Sequence, residues 1–113
     1  MFLSVLQLIA AIATILTGLY SLLSPTKIQG FTGIKPIGGR GIAEVRAIFG
    51  GTFIGLGIAP FILAKSVAYP MLGIVYLAIG AIRAVTIFVD KSREQSNLIS
   101  LAVEIVFGVL LML

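Results

Sequence analysis

The chain has 113 residues, 59% of them hydrophobic and 11% charged, with a net charge of +4. Soluble domains carry about 25% charged residues, and a chain this short leaves much of its surface in water, so a soluble globular fold is excluded. Cys, His and Trp are absent, which removes disulfides, thiolate chemistry and imidazole ligation of zinc, copper or haem.

The apolar runs predict an all-α protein, a four-transmembrane-helix bundle forming one integral membrane domain over residues 1–113. A span needs about 20 mostly apolar residues, and four such stretches follow one another. The first is Phe2–Ser24. No Lys or Arg precedes Lys27, so this run reads as a retained span and not as a signal peptide. Ser24-Pro25 ends it, because a residue before proline avoids the helical region. A connector, Pro25–Arg40, carries Gly30, Gly33, Pro36, Gly38 and Gly39, and its Phe31, Ile34 and Ile37 suggest contact with the membrane surface. The second span is expected over Gly41–Ala64 and Lys65–Tyr69 as a short turn. The third runs from Pro70, a favoured first helical residue, to Val89. After a charged loop, Asp90–Ser96, the fourth covers Asn97–Leu113. Strands facing lipid would leave backbone groups unsatisfied, so helices are required.

Loop charge sets orientation. Lys27, Lys35, Arg40, Lys91 and Arg93 lie in the first and third loops, and only Lys65 lies opposite. The positive-inside rule then makes 25–40 and 90–96 cytoplasmic and puts both termini outside, in what reads as a bacterial cytoplasmic membrane. The net positive charge suits anionic headgroups. No basic face or soluble module suits nucleic acid.

Four ionisable residues fall within the spans: Glu44, Arg46, Arg83 and Glu104. At about 1.5 Å per residue they lie roughly 5–10 Å from the cytoplasmic ends, all in one half of the bilayer. Charge in hydrocarbon must find a partner, a proton or water. Arg83 and Glu104 match in depth across a short loop, and Arg46 could join them. Glu44 and Arg46 are two apart and point to opposite sides of their helix, while Arg40 is one turn before Glu44. The equal charge count suits an ion network that fixes helix register. Two arginines at one depth suit a pocket for a polar or anionic headgroup. Proton or ion passage through Glu44 or Glu104 is a third reading.

Span two has small residues every fourth position: Ala43, Ala47, Gly51, Gly55 and Ala59, widened by Gly50 and Gly57. Such rows let helices approach closely in lipid, within one chain or between copies. Span one has Ala10, Thr14 and Gly18, and span three Gly80 and Ala84. Gly38-Gly39-Arg40-Gly41 lacks the Gly-Lys-Ser/Thr ending of a phosphate loop and reads as a tight turn. Tyr20 and Tyr69 sit near span ends, as interfacial anchors do; Tyr76 is mid-span, as a packing residue.

The stretch Gly41-Ile42-Ala43-Glu44-Val45-Arg46-Ala47-Ile48-Phe49-Gly50-Gly51, continuing to Gly55 and Gly57, resembles the second helix of a bacterial four-helix membrane family catalogued only as a domain of unknown function. The resemblance extends through Arg83, the Asp90 loop and Glu104. The family often has Gly directly before the third-helix Arg, where this chain has Ile82, with Gly80 two residues earlier. On architecture alone the family is distantly similar to DoxX-like proteins, some of which associate with quinone-linked oxidation. The resemblance implies a fold and no activity.

The composition thus favours a non-catalytic membrane protein without cofactor or metal, a homo-oligomer or an accessory subunit of a larger membrane complex, with membrane lipids as its surroundings. The alternative is a carrier or binder of lipid, quinone or a small molecule at the Glu/Arg cluster. Small four-helix multidrug carriers need a carboxylate in their first span, and Phe2–Ser24 has none.

Overall fold

The computed structural model describes residues 1–113 and is helical throughout, with no strand. The helices are α1 (Phe2–Leu23), a short α2 (Gln29–Thr32), α3 (Gly38–Glu44), α4 (Gly51–Ile62), α5 (Lys65–Val89) and α6 (Gln95–Met112). A π-helical turn, Val45–Gly50, joins α3 to α4 without a break. The resulting span Gly38–Ile62, together with α1, α5 and α6, makes four helices long and apolar enough to cross a membrane. Large apolar side chains stand exposed along them, among them Leu16, Ile74, Ile82, Phe88 and Val106. An exposed apolar surface of this extent belongs in lipid, and the chain is an integral membrane protein on these grounds.

The second, third and fourth spans begin at Gly38, Lys65 and Gln95, each earlier than expected. The third span begins at Lys65 and not at Pro70, so Lys65–Tyr69 is helix and not a turn. Ala64 is extended (ψ 127°), and its carbonyl takes the Val67 and Ala68 amides at 3.0 and 2.9 Å, which starts the helix early. Pro70 already has a helical φ, so the helix runs through it and only the hydrogen bond to the Ser66 carbonyl is lost. Membrane helices tolerate such prolines. The second span starts at Gly38, placing Arg40 on the helix. The connector contains a 3₁₀ turn, Pro25–Ile28, and α2. Gly33 (φ 77°) closes α2 in the left-handed region, the usual glycine role at a helix C-terminus. Gly38 (φ 64°) then turns the chain into α3.

The chain forms two compact units, Met1–Ala10 with Leu63–Leu113, and Ala11–Ile62. In the first, α5 and α6 are an antiparallel pair. A Cβ at Gly73 would lie 3.0 Å from the Gly108 carbonyl oxygen, and one at Gly80 would lie 3.4 Å from the Glu104 Cβ. Tyr76 meets Phe107 edge-on, centroids 5.5 Å apart, so it is a packing residue. The close approach comes at Gly80, while Ile82 is 67% exposed. Gln7 Nε2 donates to the Leu110 carbonyl at 3.0 Å. That carbonyl is one of the last four of α6, which have no helical donor.

In the second unit, the C-terminal part of α1 packs against the composite helix. A Cβ at Gly18 would be 2.7 Å from the Gly50 carbonyl oxygen and from the Ile54 amide nitrogen. A Cβ at Gly57 would be 2.8 Å from the Ala11 carbonyl oxygen. The two backbones are nearly in contact. The expected row on span two is not the packed one: Ala43, Ala47, Gly51 and Gly55 are exposed, Ala59 is half-buried, and nothing lies within 4 Å of a Cβ at Gly51 or Gly55. The buried series is Val45, Gly50, Gly57 and Pro60. Its first step is five residues because the π turn is wider than an α turn, a shift that an α-helical period does not show.

Candidate functional site

Arg83 lies on α5 and Glu104 on α6, one facing the other across the antiparallel pair. Arg83 Nε donates to Glu104 Oε1 at 2.7 Å, and Nη2 donates to Oε2 at 2.8 Å. This fork-to-fork geometry is the strongest form of the pair. The third donor, Nη1, reaches Asn97 Oδ1 at 2.7 Å, and the Asn97 amide donates in turn to the Ser92 carbonyl (2.8 Å) and hydroxyl (2.7 Å). The Glu104 side chain is only 10% exposed and that of Arg83 31%. Neither carboxylate oxygen is without a donor.

The loop that brings these residues together is shaped by the end of α5. The Ser92 amide donates back to the Ile87 carbonyl at 3.0 Å, and Lys91 takes a left-handed conformation (φ 54°), the pattern of a Schellman ending. Ser92 is thereby held where Asn97 can reach it. Neither Ser92 nor Asn97 stood out in the sequence. A polar amide at the head of an apolar helix, facing a depth-matched Arg, is the signal that would have found Asn97.

The other two charges lie in the second unit. Glu44, at the end of α3, accepts from Arg40 Nε at 3.1 Å, an i,i+4 pair with side chains 52% and 87% exposed. Such a pair contributes only a few tenths of a kcal/mol. Arg46 lies in the π turn, exposed and in no ion pair. Each carboxylate among the four thus has an arginine of its own unit, and Arg46 is the charge left over. A groove of about 470 Å³ beside Arg40 and Glu44 is lined by Lys35, Pro36, Val45 and Phe49. No group of three or more acidic, His or Cys residues is placed to hold a metal ion.

No curated protein and no solved structure is significantly similar to the chain. One family model matches residues 2–113, practically all of it. A match of that extent, on a helical chain with four potential spans, settles the family: the protein belongs to the family described as Domain of unknown function (DUF4345).

Proposed function

We propose that this is a non-catalytic membrane protein that works by association, as a homo-oligomer or as an accessory subunit of a larger membrane complex, through the outer face of the span Gly38–Ile62. The observation that carries the reading is the exposed row Ala43, Ala47, Gly51 and Gly55. The glycines that the chain uses for its own packing, Gly18, Gly50 and Gly57, have neighbouring atoms well inside 4 Å; Gly51 and Gly55 have none. Glycine weakens a helix by about 1 kcal/mol relative to Ala, so two glycines with no internal use suit a surface that another helix approaches.

The ion pair supports the same reading. Arg83 and Glu104 meet at two points, with Asn97 accepting from the third guanidinium nitrogen, so the pair acts as a clasp between α5 and α6. Arg46 supports the binding alternative: an unpaired guanidinium on a membrane helix, about 12 Å along it from Gly38 at 1.5 Å per residue, suits an acidic partner residue or an anionic or quinone-like ligand. The loop charges favour both termini outside.

Extraction in mild detergent followed by native mass spectrometry tests the proposal. The expected result is a defined oligomer or a stoichiometric partner that Gly51→Leu and Gly55→Leu remove while helix content is kept. Association unchanged in both variants rejects this face.

A further inference from the structure

A second groove, of about 630 Å³, opens at the opposite end of α5 from the Arg83 clasp. It is formed within the first unit by the start of α1, the start of α5 and the end of α6. All three contributions are helix ends, so in a bilayer the groove lies at headgroup level, with its walls descending into the hydrocarbon. The deeper lining is apolar, with Val5, Leu8 and Leu111.

The polar part of the groove combines the donors at the start of α5 with Ser4, Gln7 and Ser66, and the end of α6 forms another wall. α5 has 25 residues and begins without a side-chain cap. The Val67 and Ala68 amides are taken by the Ala64 carbonyl, which leaves those of Lys65 and Ser66 without a helical acceptor, and the helix dipole places partial positive charge there. Lys65, the first residue of that helix, lines the groove and is exposed in no ion pair. Tyr69 is one turn further on, on the same face, and its side chain leans back toward the helix start. Tyr69 is only 6% exposed, and its hydroxyl has no hydrogen-bond partner. No side-chain polar atom in the protein is both sealed and unpaired, so this hydroxyl is reached from outside, and Tyr69 is a lining residue of the groove. A nearly buried tyrosine ordinarily finds a partner for its hydroxyl.

We infer that this groove is a binding site for one anionic phospholipid of the surrounding bilayer. The headgroup phosphate lies at the start of α5, accepting from the Lys65 ammonium, the Tyr69 hydroxyl and the free amides. One acyl chain follows Val5, Leu8 and Leu111 downward. A helix start with a lysine is a natural phosphate receptor, and the apolar wall beneath it selects a molecule with a tail over a free ion. The site is separate from the association face proposed above and stands without it.

The test is native mass spectrometry of the full chain, purified in detergent and titrated with dimyristoyl phosphatidylglycerol, with oleate and inorganic phosphate as competitors. The expected result is one retained phosphatidylglycerol per chain, displaced by neither competitor. The dissociation constant from the titration should rise roughly tenfold in Tyr69→Phe and in Lys65→Gln, as loss of a hydrogen bond to a charged group implies. Arg93→Gln, at the other end of α5, should bind as the unaltered chain does. Tyr69→Phe keeps the ring, so it reports on the hydroxyl and not on folding. A wild-type dissociation constant in both groove variants overturns the site. Displacement by oleate overturns the phospholipid as its occupant.

Discussion

The two units pair their helices by opposite means. In Met1–Ala10 with Leu63–Leu113, a two-point ion pair between Arg83 and Glu104 joins α5 to α6 near their loop, and Gly73, Gly80 and Gly108 allow the approach farther along. In Ala11–Ile62, no ion pair joins α1 to the composite helix. The contact is backbone against backbone at Gly18, Gly50 and Gly57. The unit's one ion pair, Arg40–Glu44, stays within a single helix and is exposed. Apolar side chains gain nothing by leaving lipid for one another, so membrane helices rely on tight packing or on polar bonds. This chain uses packing in both units and adds the polar bond in one.

Removing Arg83 should have the largest effect. Arg83→Ala leaves the Glu104 carboxylate buried without its cation, at a cost of about 3 kcal/mol or more. Thermal unfolding in detergent should show a large drop, and Glu104→Gln added to the same chain should recover part of it. A double variant as unstable as the single one would mean that the clasp is not held by charge.

Gly18→Val breaks the other kind of contact. Its added carbons meet the Gly50 carbonyl and the Ile54 amide, which are backbone atoms and cannot yield. Overpacking of this kind costs about 1–3 kcal/mol. Gly108→Ala sharpens the point, because its Cβ would first meet Cδ2 and Cγ of Leu77, at 2.5–2.6 Å, with the Gly73 carbonyl oxygen farther off at 3.3 Å. A side chain can give way where backbone cannot, so a loss at the low end of that range, about 1 kcal/mol, is expected. Equal melting shifts for the two variants would show that backbone contact is not what makes Gly18 special.

Smaller still, Gly55→Leu should not lower the stability of the isolated chain and should raise it by up to about 1 kcal/mol through helix propensity, while removing association. Arg40→Ala should cost only a few tenths of a kcal/mol. A loss near that of Arg83→Ala in the same melting assay would overturn the distinction between the exposed pair and the clasp.

Much of this was legible in the residues. The four spans follow from apolar runs, and the Arg83–Glu104 pair follows from matched depth across a short loop. The row Ala10, Thr14 and Gly18 is buried as its spacing suggests. The sequence marks Gly50 and Gly57 only as widening the row on the second span, and leaves open whether that row packs within the chain. An α-helical period picks out Ala43, Ala47, Gly51 and Gly55, but the π turn advances the helix by five residues between Val45 and Gly50 and turns Gly50 and Gly57 inward. The start of α5 lies before Pro70, because proline suits any position of a first turn and an extended Ala64 opens the helix earlier.

The sequence by itself determined that this is an all-helical membrane protein. Lipid permits few backbone arrangements, and each apolar run must satisfy its own amides and carbonyls. Tertiary structure alone decided which glycines touch a neighbour, that Asn97 completes the coordination of Arg83, and that Tyr69 keeps an unspent hydroxyl beside Lys65. Those outcomes depend on register between helices far apart in the chain, and a shift of one residue, such as the π turn introduces, rotates a helix face by about 100° at 3.6 residues per turn.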